Sequence, residues 1–403
     1  MINREGYLQK IRPFFNKDLV KVLTGIRRSG KSTLLKLIQQ ELIADGVPTN
    51  QIHLINFESM TYANRDSNSI YKELVSFGAD KNGKLYFFLD EIQALNGWEK
   101  MVNSLRVDLD CDLYITGSNS KLLSGEMATY LAGRYIEIPV YTFSFQEILK
   151  IKQQKNIDRS LEEDFKAFLI LGGMPFIYDH ELDESSALEY LKDIYQSIVL
   201  KDIIARHSIR DIELLERVVI YLLANVANSF SGPNLVKYLK NEKRALSLET
   251  IYNYIAYARE ACLLHLIPRI DVQGKGLLKF QEKIYLSDQG IREAIYGNNE
   301  RDINQILENV VCLELLRRDY KVRVGKTKEK EIDFIAEKRN HKIYIQVTYL
   351  IADQEVARRE FSSLAGIQDN YPKLVLSLDQ FDFSREGIIH KNLIDFLLQK
   401  DWV

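Results

Sequence analysis

The sequence predicts an α/β protein with a doubly wound parallel sheet near its amino terminus, a mostly helical middle and a small separate α/β domain at its end. Three observations predict this. Apolar runs between Val20 and Val140 are continuous rather than alternating, as strands covered on both faces must be. Helical spacing separates the runs, which is the strand–helix grammar of a doubly wound sheet. The strand signal then fades after Thr142 and returns beyond Ile303, and 403 residues exceed what one hydrophobic core serves.

In the first region the strand runs are Val20–Leu23, Ile52–Phe57, Leu85–Leu89, Leu113–Thr116 and Tyr135–Val140. Ser32 to Leu42 reads as a helix, with Leu34, Leu35, Leu37, Ile38 and Leu42 as its apolar stripe. In the middle region Phe145–Lys155, Leu161–Leu171 and Leu188–Ala205 read as helices, and Gly172-Gly173-Met174-Pro175 breaks the pattern. A helix from Ser247, an apolar run Leu263–Ile267, a turn at Gly274 and Gly276 and a strand at Lys283–Leu286 suggest a winged helix-turn-helix. The last region reads as a helix at Ile306–Arg318 and strands at Lys321–Val324, Glu331–Ala336 and Lys342–Tyr349. A helix at Val356–Leu364, a strand at Lys373–Leu378 and a helix at Lys391–Leu398 complete it.

The stretch Gly25-Ile26-Arg27-Arg28-Ser29-Gly30-Lys31-Ser32 fits G-x-x-x-x-G-K-[ST] at every fixed position, between a strand and a helix. Glycine is needed at Gly25 and Gly30 because the loop must curl until its N–H groups face inward. Those groups and the following helix N-terminus suit a β-phosphate. Lys31 adds a charge toward the β- and γ-phosphates, Ser32 a hydroxyl toward Mg²⁺, and Thr33 supports the same helix start. Arg27 and Arg28 stay open between phosphate contact, contact with a neighbouring segment and a solvated loop tip.

Leu85-Tyr86-Phe87-Phe88-Leu89-Asp90-Glu91 is an apolar strand ending in two carboxylates, at the strand end where α/β sheets hold ligands. Asp90 is expected to hold Mg²⁺ and Glu91 to orient and polarise the attacking water. Glu58, after the second strand, reads as a surface carboxylate that could also hydrogen-bond near a nucleotide.

These motifs, with Ile115-Thr116-Gly117-Ser118-Asn119, resemble the AAA-type branch of P-loop ATPases. The resemblance implies a polar residue between the Mg²⁺ water and the γ-phosphate, for which Asn119 is preferred over Ser118. Leu131-Ala132-Gly133-Arg134 precedes the fifth strand, and by the same resemblance Arg134 is the candidate arginine finger or phosphate sensor, in cis or in trans. A structural ion pair is its other reading.

A closer resemblance, to a prokaryotic family of predicted ATPases, rests on the double arginine of the loop, Leu131 to Arg134, Leu171 to Pro175 and Ser247 to Ala258. It also rests on Tyr285-Leu286-Ser287-Asp288-Gln289-Gly290, Leu307-Glu308-Asn309 and Glu331-Ile332-Asp333-Phe334. It implies an AAA-type core over 1–150, a helical lid or connector over 151–205, a winged helix over 206–299 and an endonuclease-like α/β domain over 300–403. Glu308 and Asp333 would be the metal carboxylates of that last domain. Its expected Glu-x-Lys, however, reads Gln346-Val347-Thr348, which argues for an inactive relic; Lys330 and Lys342 could substitute in principle.

The recognition-helix positions Glu249, Thr250, Asn253 and Arg259 are poor in cations. Lys237, Lys240, Lys243 and Arg244, with Lys275 and Lys279, offer phosphate contacts instead. A net charge of −2 excludes a global positive field, so DNA enters as a candidate partner through local patches alone. Cys111, Cys262 and Cys312 are scattered, against a disulfide or zinc framework. The start suits no signal peptide, and the longest apolar stretch, Val218–Ala227, is too short for a bilayer.

The resulting expectation is an ATP- and Mg²⁺-dependent ATPase of a reducing cytoplasm that moves its C-terminal modules. A DNA-associated regulator with ATP as a slow switch and a nuclease-linked ATPase are the alternatives, and the oligomeric state is open.

Overall fold

The computed structural model describes residues 2–119, 122, 131–241, 247–271, 282–327, 330–399 and 402. The chain divides into two compact units, one of Met1–Tyr141 with Glu260–Cys262 and one of Thr142–Arg259 with Leu263–Val403. The predicted turn at Gly274 and Gly276, and the candidate cations Lys243, Arg244, Lys275 and Lys279, lie outside the described residues, as does the side chain of Lys240.

The first unit is built on β1 (Val20–Thr24), β2 (Ile52–Asn56), β3 (Leu85–Asp90), β4 (Cys111–Gly117) and β5 (Tyr135–Pro139). They form one sheet in the order β2-β3-β4-β1-β5, every pair parallel. Helix α1 spans Glu5–Ile11, α2 Lys31–Ala44, α3 Ser67–Gly78 and α4 Trp98–Asp108. In the inner strands β1, β3 and β4 the continuous apolar runs have the expected cause, whereas the edge strands β2 and β5 are only partly buried. In β3, Phe87 and Leu89 join a core with Ile70 and Leu74 of α3 and Met101, Val102 and Leu105 of α4. Tyr86 and Phe88 join a second core with Leu8 of α1 and Leu34, Leu35 and Ile38 of α2. Successive side chains point to opposite faces, and here both faces are covered.

That sheet also buries a charge. Lys21 and Asp112, on adjacent strands, form an ion pair whose side chains are wholly shielded from solvent. The Tyr114 hydroxyl and the Asn16 amide donate to Asp112 Oδ2 at 2.8 and 2.9 Å. Burial pulls the Lys21 ammonium below its ordinary range, with Asp112 opposing it.

In the second unit, α5 (Phe145–Gln154), α6 (Leu161–Leu171), α7 (Pro175–Asp179) and α8 (Glu184–Ser197) follow one another. The helix expected to run to Ala205 becomes a π-helix over Ile198–Ala205. Then come α9 (Ile212–Ala224), α10 (Gly232–Asn241) and α11 (Leu248–Glu260). Ser247 caps α11 as expected, accepting from the Thr250 amide at 3.1 Å. Strand β6 (Leu264–Ile267) pairs antiparallel with β8 (Lys283–Leu286). Between them, β7 (Arg269–Asp271) leaves this pair and runs parallel to β9 (Lys321–Lys326) of a larger sheet.

Helix α12 (Gln289–Ile295) and helix α13 (Ile303–Arg317) lead into that sheet, with β10 (Glu331–Lys338), β11 (His341–Val347), α14 (Gln354–Ala365) and β12 (Lys373–Ser377). The expected helix at Lys391–Leu398 is corrected at its start: Lys391 and Asn392 belong to β13 (Ile389–Asn392), and α15 begins at Leu393. The order is β13-β12-β11-β10-β9-β7. The two strands the sequence did not reveal, β7 and β13, are its edges. Polar residues tolerate an edge, so neither carries an apolar run.

Two distant sequence motifs dock in this unit. Asp288 caps α12 and accepts from the amides of Gly173 and Gly290 at 2.8 and 2.9 Å. Gly172 has φ +70 and ψ −155, a region open essentially to glycine alone. A Cβ there would lie 1.9 Å from Asp288 Oδ1. Gly172→Ala should therefore cost about 2–4 kcal/mol through backbone strain and overpacking, read as a lowered urea midpoint.

Burial pushes the Asp288 carboxyl up from 3.8 to about 6, with the Gly173 amide opposing. A raised carboxyl pKa favours folding at low pH and loses that advantage as pH rises through about 6. Unfolding at pH 5 should cost about 1 kcal/mol more than at pH 8 on this account, and Asp288→Asn should remove that part of the slope in urea titrations.

Among the described residues no helix is long and apolar enough to cross a membrane. Among the described residues no disulfide is formed, and Cys111 and Cys312 are buried.

Candidate nucleotide site

Strand β1 ends at Thr24 and α2 starts at Lys31, so six residues make the turn. Gly25 has φ +145, and a Cβ on it would stand 2.2 Å from the Val140 carbonyl oxygen. Backbone meets backbone there, which leaves no room for a side chain. Gly30 (φ +96) and Arg28 (φ +67) supply the remaining left-handed curl. The first helical bond runs from the Leu34 amide to the Gly30 carbonyl at 2.9 Å. The amides of Lys31, Ser32 and Thr33 thus precede the helical ladder, as an anion-binding helix start requires. Among the described residues Ser29 Oγ, buried in the loop, has no hydrogen-bond partner, and it is a polar atom that a phosphate oxygen could satisfy.

Lys31 is 3% exposed and donates to the carbonyls of Gly25 and Ile26 at 2.9 and 3.1 Å. Its Nζ lies 3.9 Å from Glu91 Oε1. Ser32 Oγ donates to Asp90 Oδ1 at 3.1 Å. A hydroxyl beside a carboxylate is the hard-oxygen set that Mg²⁺ takes in phosphate sites, so Ser32 and Asp90 fit the ion the motif implies.

Three further residues hold these groups, none of which the sequence marks as a site residue. Asn56, at the end of β2, donates to Asp90 Oδ2 at 3.1 Å, and Thr116 of β4 donates to Asp90 Oδ1 at 2.5 Å. Thr116 Oγ1 also accepts the Glu91 amide at 2.9 Å. Gln93 donates to Glu91. A polar residue closing an apolar strand was the available signal for Asn56 and Thr116; which strand ends are neighbours was not available.

Glu91 sits in the left-handed region at φ +53, an uncommon position for a side chain and one found at functional turns. Ser118 Oγ lies 2.9 and 3.0 Å from its two carboxylate oxygens. Of the two candidates at the end of β4, Ser118 is thus the one seen on Glu91, while Asn119 is buried beside it.

The two acids differ in charge balance. Burial raises the Asp90 pKa, with donation from Thr116 and Ser32 only partly offsetting it. Burial also works to raise Glu91, but the Lys31 charge and donation from Gln93 and Ser118 outweigh it, so Glu91 is lowered and stays ionised at neutral pH.

Arg27 pairs with Glu58 at 3.0 Å, so both candidates face one another at the loop rim. Arg28 carries part of the loop's curl. Arg134 is exposed at the other end of the sheet: its carbonyl accepts the amide of Val20, the first residue of β1. The five residues of β1 span about 16 Å, so the structure does not bring Arg134 to Lys31 of its own chain.

In the second unit, Glu308 of α13 and Asp333 of β10 do converge, on Lys283 of β8, which lies 2.8 Å from Glu308 and 3.6 Å from Asp333. Gln346 Oε1 accepts the Asp333 amide at 3.4 Å. Lys330 binds Ser362 and Lys342 lies over the Tyr344 ring, so neither joins the acids. The Thr348 amide donates to the Leu376 carbonyl. Among the described residues no group of three or more His, Cys, Asp or Glu is arranged to hold a metal. On α11, Glu249, Asn253 and Arg259 are exposed, as is Lys237 on α10.

Comparison with known proteins agrees with the first unit's geometry. Residues 17–149 match the family model of an AAA domain, and residues 162–302 match a domain of unknown function, DUF8612. An uncharacterized protein of Haemophilus influenzae is 37% identical over 401 residues, 99% of each chain. The uncharacterized protein MJ1544 of Methanocaldococcus jannaschii is 32% identical over 381 residues, 92% of this chain and 82% of its own. Among solved structures, the Walker-type ATPase PABY2304 of Pyrococcus abyssi superposes with a TM-score of 0.52 at 18% identity, over 73% of this chain and 95% of that one. That likeness speaks for the fold, a P-loop α/β core.

Proposed function

From the premise that this chain belongs to one family with the Haemophilus influenzae protein and MJ1544 and carries an AAA-type P-loop ATPase core, we propose that it binds ATP with Mg²⁺ and hydrolyses it at the carboxyl ends of β1 and β3. One observation carries the reading: Lys31 and Ser32 at the start of α2 meet Asp90 and Glu91 at the end of β3 within hydrogen-bond or ion-pair reach.

The loop amides and Lys31 bind the β- and γ-phosphates, Lys31 exchanging its bonds to Gly25 and Ile26 for phosphate oxygens. Ser32 and Asp90 would hold a magnesium ion, which would supply charge neutralisation for the transferred phosphoryl group. Glu91, ionised and aimed by Ser118 and Gln93, orients the attacking water and takes its proton. Asn119 is the reserve candidate for the γ-phosphate contact. Arg134, at the far end of the sheet, suits a contact supplied to a neighbouring copy better than one in its own site.

We read the second unit as a connector over 151–205, a winged helix over 206–299 and an endonuclease-like domain over 300–403 that does not cut. Hydrolysis then serves to move these modules, with DNA as the partner to test first.

Calorimetric titration with ATP and Mg²⁺ tests the binding. The wild-type chain should bind and Lys31→Ala should bind at least about tenfold more weakly, the loss of one charge-assisted contact. No uptake by the wild type ends the proposal. Turnover measured with and without duplex DNA separates a coupled enzyme from an uncoupled one, and retardation of DNA that weakens with salt would favour the regulator reading.

A further inference from the structure

The C-terminal carboxylates are filled from within. Lys283 opens β8 and is 4% exposed. Its Nζ stands 2.8 Å from Glu308 Oε1, 2.6 Å from Glu331 Oε1 and 3.6 Å from Asp333 Oδ1. The remaining capacity of these acids is taken up locally. The Tyr285 hydroxyl donates to the same Glu308 oxygen at 2.5 Å, the Val347 amide to Asp333 Oδ2 at 2.9 Å, and Arg269 to Glu331 Oε2. Three carboxylates from α13 and β10 thus converge on one point, and the group at that point is an ammonium brought by a strand of a different sheet.

An ammonium nitrogen and a Mg²⁺ or Mn²⁺ ion cannot share that point. The metal needs oxygens at about 2.0–2.2 Å on several sides, and the three carboxylates already close on nitrogen. Burial alone would drive Lys283 toward neutrality, yet Glu308, Asp333 and Glu331 outweigh it and hold the ammonium charged. The position is therefore occupied by a permanent cation at neutral pH.

We propose that Lys283 is a tethered counter-ion that plugs the Glu308–Asp333 pocket and closes it to divalent metal for as long as β8 stays in place. The plug explains how two acids suited to metal chemistry can lie together in a domain whose third expected ligand is the neutral Gln346. It also ties β8 to the larger sheet, so withdrawal of β8 would open a cation site. This inference does not depend on the ATPase reading, because its test involves neither nucleotide nor turnover.

The probe is Mn²⁺ alone, added to the nucleotide-free full chain and followed by the free-ion paramagnetic signal and by thermal melting. Wild type and Glu308→Gln should take up equal Mn²⁺. Lys283→Met should take up one further ion per chain and melt higher in its presence, and adding Glu308→Gln to that variant should abolish both changes. Lys283→Arg, which keeps the charge, should behave as wild type. Glu308-dependent Mn²⁺ uptake by the wild type would overturn the plug, as would a folded Lys283→Met that gains no ion. Should Lys283→Met fail to fold in metal-free buffer, refolding in millimolar Mn²⁺ decides: recovery that needs Glu308 supports the proposal, and no recovery overturns it.

Discussion

Glu91→Gln should bind ATP with Mg²⁺ as the wild type does and lose turnover by about 10²–10⁴-fold, the range a positioned general base contributes. The geometry specifies why binding should survive. Glu91 makes its recorded contacts with Ser118, Gln93 and Lys31, while Ser32 and the loop amides are held by other groups. Glutamine keeps the shape and can still accept from Ser118, so the loop is not disturbed. What disappears is the negative charge, which the lowered pKa places there at neutral pH. Lys31 also loses its nearby anion, and that change favours phosphate. The measurement is steady-state phosphate release beside a fluorescent-nucleotide titration. Turnover unchanged in the variant would remove Glu91 from the chemistry; binding lost with it would show a structural role instead.

Asp112→Ala should destabilise the first unit by about 3–5 kcal/mol, the cost of leaving a buried charge unpaired. Lys21 is wholly buried in β1, and besides Asp112 its ammonium donates to the Lys17 carbonyl at 3.1 Å. Removing Asp112 also frees the Tyr114 hydroxyl and the Asn16 amide. The loss should appear in urea unfolding as a midpoint shift without a change of slope. Replacing both partners together, Lys21→Met with Asp112→Leu, should recover most of the stability, because no charge is then left in the core. A single variant that unfolds like the wild type would mean that water reaches the pair.

The phosphate loop was legible because its chemistry is local. Gly25, Gly30, Lys31 and Ser32 are fixed in relation to one another by a few consecutive backbone angles, and the spacing alone states those angles. Asp90 and Glu91 were legible because a continuous apolar run that ends in acids locates them at a strand's carboxyl end. The helix from Ser247 was legible for the same reason, since Ser247 accepts from the amide three residues on; the equivalent caps Ser144 and Ser160 emerge from the structure.

The contacts that complete the sites were not legible, since each joins residues far apart in the chain. Asn56 and Thr116 meet Asp90 because β2 and β4 flank β3, an order no local pattern declares. Lys21 lies within the run Val20–Leu23, and no local pattern points to Asp112, 91 residues away, as its partner. Lys283 read as the start of a short strand, not as the cation of an acid cluster.

By itself, then, the amino-acid sequence determined the α/β class, the curled loop and the two acids opposite it, since periodicity and backbone sterics act over a few residues. Only the tertiary structure decided that Arg134 lies at the wrong end of its own sheet for its own nucleotide site, that Gly172 must make room for Asp288, and that Lys283 pairs with Glu308 and Asp333. Those outcomes depend on strand order and on which buried charges find each other, and both are settled by packing the whole chain rather than by any segment of it.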